Sequence, residues 1–251
     1  MPEKMIEAVR IGKEFTSNFK RLEVLKDISF SVKKGSFTSI VGMSGCGKTT
    51  LLKIICGISN PYSGQILIDG EGASKAGRNH YFGIVFQEPT LLPWRNVYNN
   101  IELPLELNSC PRTKFKADDL IKLVGLEGFE NVMPHELSAG MKARVAIARA
   151  LIFHPSILLM DEAFNNLDEI TRSNLNLELL RIWEEIRTTV LFVTHNISEA
   201  IFLSDRIIVL TPRPGTVRKI IDVNLPRPRN KQTRRLPEFI EIVENARELL
   251  T

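Results

Sequence analysis

After Val41 the chain reads Gly42-Met-Ser-Gly-Cys-Gly-Lys-Thr-Thr50, which satisfies the pattern G-x-x-x-x-G-K-[ST] in full. Such a stretch can cradle phosphate. Its glycines let successive backbone N–H groups turn toward phosphate oxygens, and the helix that follows adds the partial positive charge of its N-terminus. Lys48 is placed to reach the β and γ phosphates of a nucleotide, and the Thr49 hydroxyl to ligate Mg²⁺. Gly42, Ser44, Gly45, Cys46, Gly47, Lys48, Thr49 and Thr50 are therefore candidate nucleotide contacts. A glycine pair at Gly72 and Gly77 has no Lys-Thr after it and no long apolar strand before it, which predicts a surface loop.

Phosphate chemistry also needs a metal-binding acid and a group to activate water. Ile157-Leu-Leu-Met-Asp161-Glu162 is an apolar run that ends in two carboxylates. A buried strand there would bring Asp161 to its carboxyl end to hold Mg²⁺ through water. Glu162, one residue on, points elsewhere and is suited to polarise an attacking water. No serine lies in a G-x-S-x-G elbow, so a Ser-His-Asp hydrolase is excluded.

Elements able to position these groups can be read from the apolar pattern. Strand-like runs occur at 6–9, 28–32, 37–41, 65–68, 82–86, 157–160, 190–193, 207–210 and 217–221. Leu51-Leu-Lys-Ile-Ile-Cys56 has helical character and stops at Gly57. Residues 90–151 read as helices broken by Pro93, Pro104, Pro111 and Pro134, with 143–151 strongly helix-forming. Leu175, Leu179, Ile182 and Ile186 share one helical face, and 237–250 reads as an amphipathic helix. Alternating strand and helix on both sides of a helical block predicts an α/β core with a helical insertion rather than two tandem domains.

The 251 residues carry 33 Lys+Arg against 29 Asp+Glu, with 43% hydrophobic and 25% charged residues, the balance of a soluble globular protein. No run approaches the roughly 20 apolar residues that cross a bilayer. The opening Met-Pro-Glu-Lys-Met-Ile-Glu lacks the basic region and apolar core of a secretory signal, so secretion is not expected. Cys46, Cys56 and Cys110 are odd in number and have no zinc-site spacing, which predicts reduced thiols. Residues 212–251 hold nine Lys/Arg and five Asp/Glu, while 1–211 hold 24 of each. A neutral body with a basic tail argues against a nucleic-acid surface, which needs a basic patch on the folded core.

Leu137-Ser138-Ala139-Gly140-Met141 leads into the strong helix former, and Thr194-His195 follows the apolar run Val-Leu-Phe-Val. The order of phosphate loop, Gln87, Leu-Ser-x-Gly, strand-Asp-Glu and Thr-His resembles the ATPase subunits of ABC transporters over about residues 5–211. The Leu-Ser-x-Gly element carries most of that likeness. The resemblance implies a P-loop NTPase (RecA-like) α/β core with an N-terminal antiparallel β subdomain and a helical subdomain inserted at about 91–151. A basic tail with a terminal helix would then span 212–251. It also implies that Phe15 stacks on adenine, that Gln87 binds Mg²⁺ and senses a membrane partner, and that Ser138 and Gly140 contact the γ-phosphate bound by a second subunit. Asp168 would stand at the dimer interface, and His195 would contact the γ-phosphate. Lys48, Glu162 and His195 are then the catalytic candidates, with ATP and Mg²⁺ as the cofactors.

Finer likeness points to a branch. Phe86-Gln-Glu-Pro-Thr-Leu-Leu-Pro-Trp-Arg95, Thr211-Pro-Arg-Pro-Gly215 and Leu225-Pro-Arg-Pro-Arg229 are similar to segments of ATPases that serve nitrate, sulfonate and taurine importers. This implies an importer subunit, peripheral on the inner face of the cell membrane. Its partners would be a second ATPase subunit, integral permease subunits and an extracytoplasmic solute-binding protein, with no nucleic acid. A soluble family member acting on DNA or ribosomes would want long coiled coils or two ATPase domains, but only 89 residues separate Lys48 from Ser138, without a heptad run. A non-hydrolysing module is opposed by Glu162 and His195.

The chain departs from the family pattern at Ala139 for glycine, at Ala143 for glutamine, at Ala163 for proline, and in Asn165-Asn-Leu-Asp168, where small residues usually precede Leu-Asp. Ala139 would be strained only in a left-handed conformation, so normal or slowed hydrolysis is expected. Cys46, beside a helix N-terminus, is expected to be a reactive thiol whose modification blocks ATP. Arg227, Arg229, Lys231, Arg234 and Arg235 have no acid among them and read as a solvated linker or a segment facing anionic lipid.

Overall fold

Phe37-Thr-Ser-Ile-Val41 is buried at every position, as a strand flanked on both faces must be, and it anchors the core. The computed structural model describes residues 3–17, 20–73, 75, 82–107 and 115–250. They form two compact units, Met1–Tyr81 with Thr189–Thr251, and Phe82–Thr188. Cys110, Pro111 and His80 lie outside the described residues.

In the first unit, β1 (Lys4–Ser17) pairs antiparallel with β2 (Lys20–Lys33) and, on its other side, with β4 (Ser63–Ile68). The short β5 (Glu71–Gly72) extends this sheet beyond β4. The apolar pattern predicts only four or five residues for each of the first two strands, yet each has 14. Their pairing shifts register between Lys4 and Ile6, Ala8 and Ile11, Ile11 and Lys13, and Lys13 and Glu14. Each such bulge swaps the faces on which side chains fall, so the alternation that marks a strand loses phase while the pairing continues.

The central strand β3 (Phe37–Val41) runs parallel to β8 (Thr189–Thr194) on one side and to β9 (Arg206–Leu210) on the other. The strand β10 (Val217–Asp222) closes antiparallel on β9. Helices of this unit include α1 (Lys48–Ile55), α6 (Ile197–Leu203) and α7 (Pro237–Glu248). Phe239, Val243 and Ala246 form the buried stripe of α7, which packs against α6.

In the second unit β6 (Phe82–Val85) runs parallel to β7 (Ile157–Asp161). Around them lie α2 (Val97–Leu107), α3 (Ala117–Leu123), α4 (Ala139–Leu151) and α5 (Glu169–Ile186). Pro104 does not break the chain where the pattern predicts a break, because α2 continues through it. A proline removes one backbone donor, and a helix held by its neighbours survives that loss. Here α2 packs against α4. Pro134 opens a short 3₁₀ turn, Pro134–Glu136, where its missing N–H would have had no helical partner.

Candidate functional site

The glycine-rich loop leaves β3 and enters α1 at Lys48. Gly47 precedes the helix at φ 107°, and a Cβ there would lie 2.7 Å from Leu25 Cδ2, so both backbone conformation and space demand glycine. Leu51 N–H donates to the Gly47 carbonyl at 2.8 Å, closing the first helical turn. A helix start presents N–H groups whose acceptors must come from outside the helix, which suits an anion. The Lys48 side chain is 4% exposed, and its ammonium donates to the carbonyls of Gly42 at 2.9 Å and Met43 at 3.1 Å. Those bonds hold the charge across the loop. Ser44, Gly45 and Thr49 are exposed, Gly42 is buried and Thr50 is half-buried.

Behind the loop lies a contact that the loop's own residues do not announce. A Cβ on Gly215 would meet the Cys46 carbonyl oxygen at 2.3 Å. Gly215 also donates to Val24 at 2.9 Å and accepts from Lys26 N–H at 3.0 Å. The turn between β9 and β10 therefore backs the phosphate loop directly.

Cys46 itself corrects an expectation. Its side chain is 1% exposed, with Sγ packed toward Gly42, where an added Cβ would lie 2.7 Å away. A thiol turned into the core is shielded from reagents whatever the field of the nearby helix. In the folded protein, Cys46 is expected to react with a bulky aromatic disulfide at least about 100-fold more slowly than in denaturant, a rate set by opening of the structure. Site-resolved mass spectrometry of the labelled protein checks this, and rapid native labelling would restore the reactive-thiol reading.

His195 stands exposed at the end of β8. Its neighbours fix the backbone around it: Asn196 N–H donates to Thr194 Oγ1 at 3.0 Å, Thr194 Oγ1 bonds Glu199 Oε2 at 2.8 Å, and Asn196 Oδ1 caps Glu199 N–H at 3.1 Å. The other end of the helix carries the basic tail. Arg229 is 5% exposed and donates to the carbonyls of Ile201 and Phe202 at 3.0 Å and of Ser204 at 2.8 Å. Arg227 donates to Leu203 O at 2.8 Å and pairs with Asp205. The Arg234 guanidinium lies 4.4 Å from the Phe202 ring centroid. Carbonyls in the last turn of a helix have no partner within it and favour a cation. Burial pushes the Arg229 guanidinium down to about 10, which still leaves it charged at neutral pH. Neither a solvated linker nor a lipid-facing run describes Arg227, Arg229 and Arg234, which form a clamp on α6.

Phe15 lies 47% exposed near the end of β1, with Lys13 Nζ 5.2 Å from its ring centroid. It is not a core residue, and its ring is open to a planar ligand.

In the second unit, Gln87 is exposed just after β6. Arg149 of α4 holds the stretch that follows, donating to Pro89 O at 2.7 Å and Thr90 O at 3.0 Å. Ser138 caps α4, its Oγ accepting from Met141 N–H at 3.2 Å, and Gly140 is buried against Thr171. Ala139 is the first residue of that helix and is absent from the positive-φ residues, so its methyl meets no left-handed strain. Asp161 is 7% exposed at the end of β7. Glu162 follows at φ 49°, a left-handed backbone rare for glutamate, and it accepts a hydrogen bond from the Asn165 side chain. Such outliers gather at functional sites. Asp168 caps α5, and hydrogen bonds from Thr171 hold its carboxyl below the usual range.

Thr49 offers a hydroxyl, Gln87 an amide oxygen and Asp161 a carboxylate, each an oxygen donor of the kind Mg²⁺ takes. Among the described residues no group of three or more His, Cys, Asp or Glu is gathered as a metal cage. An ion that keeps its waters and takes further oxygens from phosphate needs only one or two protein carboxylates. Missed by sequence reasoning were Gly215, Arg149, Arg172, Asn165 and the Arg227–Arg229 clamp. The available signals were the departure at Asn165 from a small residue and the Thr211–Gly215 and Leu225–Arg229 segments, whose likeness marked a branch but no role.

A family model described as ABC transporter matches residues 25–165. The chain is 45% identical over 229 residues to an aliphatic sulfonates import ATP-binding protein, SsuB, of Bacillus cereus, covering 91% of this chain and 90% of that one. It is 38% identical to a nitrate import ATP-binding protein, NrtD, of Synechocystis sp., covering 98% and 94%. Among solved structures it resembles the dimeric ATP-binding cassette MJ0796 in a post-hydrolysis state bound to ADP and Pi, with a TM-score of 0.76 and 32% identity over 88% of this chain and 99% of that one.

Proposed function

The chain belongs to the ABC transporter family of ATPases, and we propose that it energises uptake of a small sulfonate-like or nitrate-like solute through separate membrane subunits. The observation that carries the importer reading is the reach of the likeness. It extends over nine-tenths or more of this chain to import ATP-binding proteins of the sulfonate and nitrate kinds. No helix among the described residues is long and apolar enough to cross a membrane, so translocation requires other subunits. The protein would work at the inner face of the cell membrane, bound to permease subunits, with a solute-binding protein delivering cargo from outside.

In this reading ATP lies on the phosphate loop with its adenine against Phe15. Backbone N–H groups at the start of α1 and the Lys48 ammonium hold the phosphates, so the charge that develops on transfer meets donors already in place. Thr49, Gln87 and, through water, Asp161 would hold Mg²⁺, which would supply neutralising charge for the phosphate oxygens. Glu162 orients the attacking water and draws its proton, and His195 donates to the γ-phosphate. A second copy supplies Ser138 and Gly140 to the same nucleotide, and Asp168 stands at that junction. Two sites form head-to-tail, and closure follows the γ-phosphate.

A mild-detergent pull-down of the Glu162→Gln protein from its native membranes, with and without MgATP, tests the assignment. Recovery of an integral membrane subunit is expected. Recovery of only ribosomal or nucleic-acid partners would overturn the importer reading.

A further inference from the structure

The segment between β7 and α5 is more constrained than a connecting loop needs to be. Asn165 closes on Glu162 twice: its N–H donates to the Glu162 carbonyl at 3.1 Å, and its side-chain amide donates to Glu162 Oε2. Arg172, on the first turn of α5, ties down the rest. Its guanidinium donates to Phe164 O at 3.2 Å, Asn165 O at 3.5 Å and Leu167 O at 2.6 Å. Asp168 accepts from Thr171 N–H at 3.0 Å, which fixes the point where loop becomes helix. Asn165 and Glu162 are both half-buried, while Asn166 is exposed.

We propose that Asn165 is a positioning residue that holds the Glu162 carboxylate in its working orientation, with Arg172 holding Asn165 in place. The proposal rests on the reading of Glu162 as the group that orients water. A glutamate has three side-chain torsions and must give up that freedom to present a carboxylate in one plane. An amide N–H aimed at one carboxylate oxygen sets that plane, and bonds to charged acceptors are the stronger kind. The backbone at φ 49° directs Glu162 off the strand, and the amide then settles where its tip lies. Neither an acceptor nor an apolar side chain at 165 can do this.

The test compares Asn165→Asp, Asn165→Ser and Asn165→Ala with the parent in ATPase rate, KM and equilibrium ATP affinity. Aspartate keeps the size and shape of asparagine but replaces the donor with a charge that repels the Glu162 carboxylate, so it should cost more than the neutral Asn165→Ala. We expect kcat to fall about 30-fold in Asn165→Asp and roughly 10-fold in Asn165→Ala, within the range for losing a hydrogen bond to a charged group. Asn165→Ser, with a hydroxyl donor, should retain more rate than Asn165→Ala. KM and ATP affinity should stay within about twofold, as for an interaction expressed only in the transition state. In single-turnover assays on a Glu162→Gln background, the Asn165 substitutions should change the residual rate less than about twofold, since coupled residues do not add. An Asn165→Asp protein with unchanged kcat, or equal losses with and without Glu162, would overturn the proposal. A Glu162→Gln protein that hydrolyses at the parent rate would instead remove the assignment of Glu162 on which it stands.

Discussion

Glu162→Gln is expected to lower kcat for ATP hydrolysis by roughly 10²–10⁴-fold, the span typical of losing a positioned general base. ATP affinity should remain within about threefold. The substitution is clean for a structural reason. Glutamine has the same length and pays the same cost at φ 49° as glutamate, so the strand end and the turn to Asn165 are undisturbed. What disappears is the carboxylate's ability to accept a proton. The ATP contacts proposed for Lys48, Thr49 and Phe15 lie on other elements and do not depend on it. Steady-state kinetics beside equilibrium binding of a fluorescent ATP analogue separate the two quantities. Hydrolysis within tenfold of the parent would assign the base elsewhere, and a parallel loss of binding would make Glu162 a structural acid.

The second large effect concerns stability. Arg229→Met keeps the apolar stem of the side chain and removes every donor, leaving the carbonyls of Ile201, Phe202 and Ser204 buried at the end of α6 without the guanidinium. Removing a charged donor from buried acceptors costs more than the net value of the bonds, here about 3–5 kcal/mol. For a chain of this size that corresponds to a fall in Tm of roughly 10 °C. Lys231→Met, at an exposed neighbour, should shift Tm by less than about 2 °C. Arg229→Lys should fall between the two, because an ammonium can reach fewer of the carbonyls that a planar guanidinium spans. Differential scanning fluorimetry gives all three values. A small shift for Arg229→Met, combined with loss of binding to anionic vesicles, would return the tail to the lipid-facing reading.

The sequence and the tertiary structure divide this protein along a physical line. The glycine-rich turn into α1, the acids at the end of β7, the cap at Ser138 and the Thr-His pair at the end of β8 were legible as local structure, because each is made of contiguous residues in a set order. A phosphate cradle is made of one loop and the helix behind it. The buried parallel strands were legible too, since a strand covered on both faces is mostly apolar, with few polar residues, as in β3, β7 and β8. The lengths of β1 and β2 were not, because bulges reset the alternation while the hydrogen bonds run on. Nor were the roles of Arg227 and Arg229, whose acceptors are mostly backbone carbonyls more than 20 residues upstream. A carbonyl is common to every residue, so no residue type can mark it as a partner. Cys46 has the neighbours of a reactive thiol in sequence, and only the fold turns its sulfur inward. Asn165 looked like a departure from pattern until the turn after β7 brought its amide onto Glu162. Local chemistry is written in the order of residues. What braces it depends on which distant backbone groups the fold leaves buried and in need of a donor.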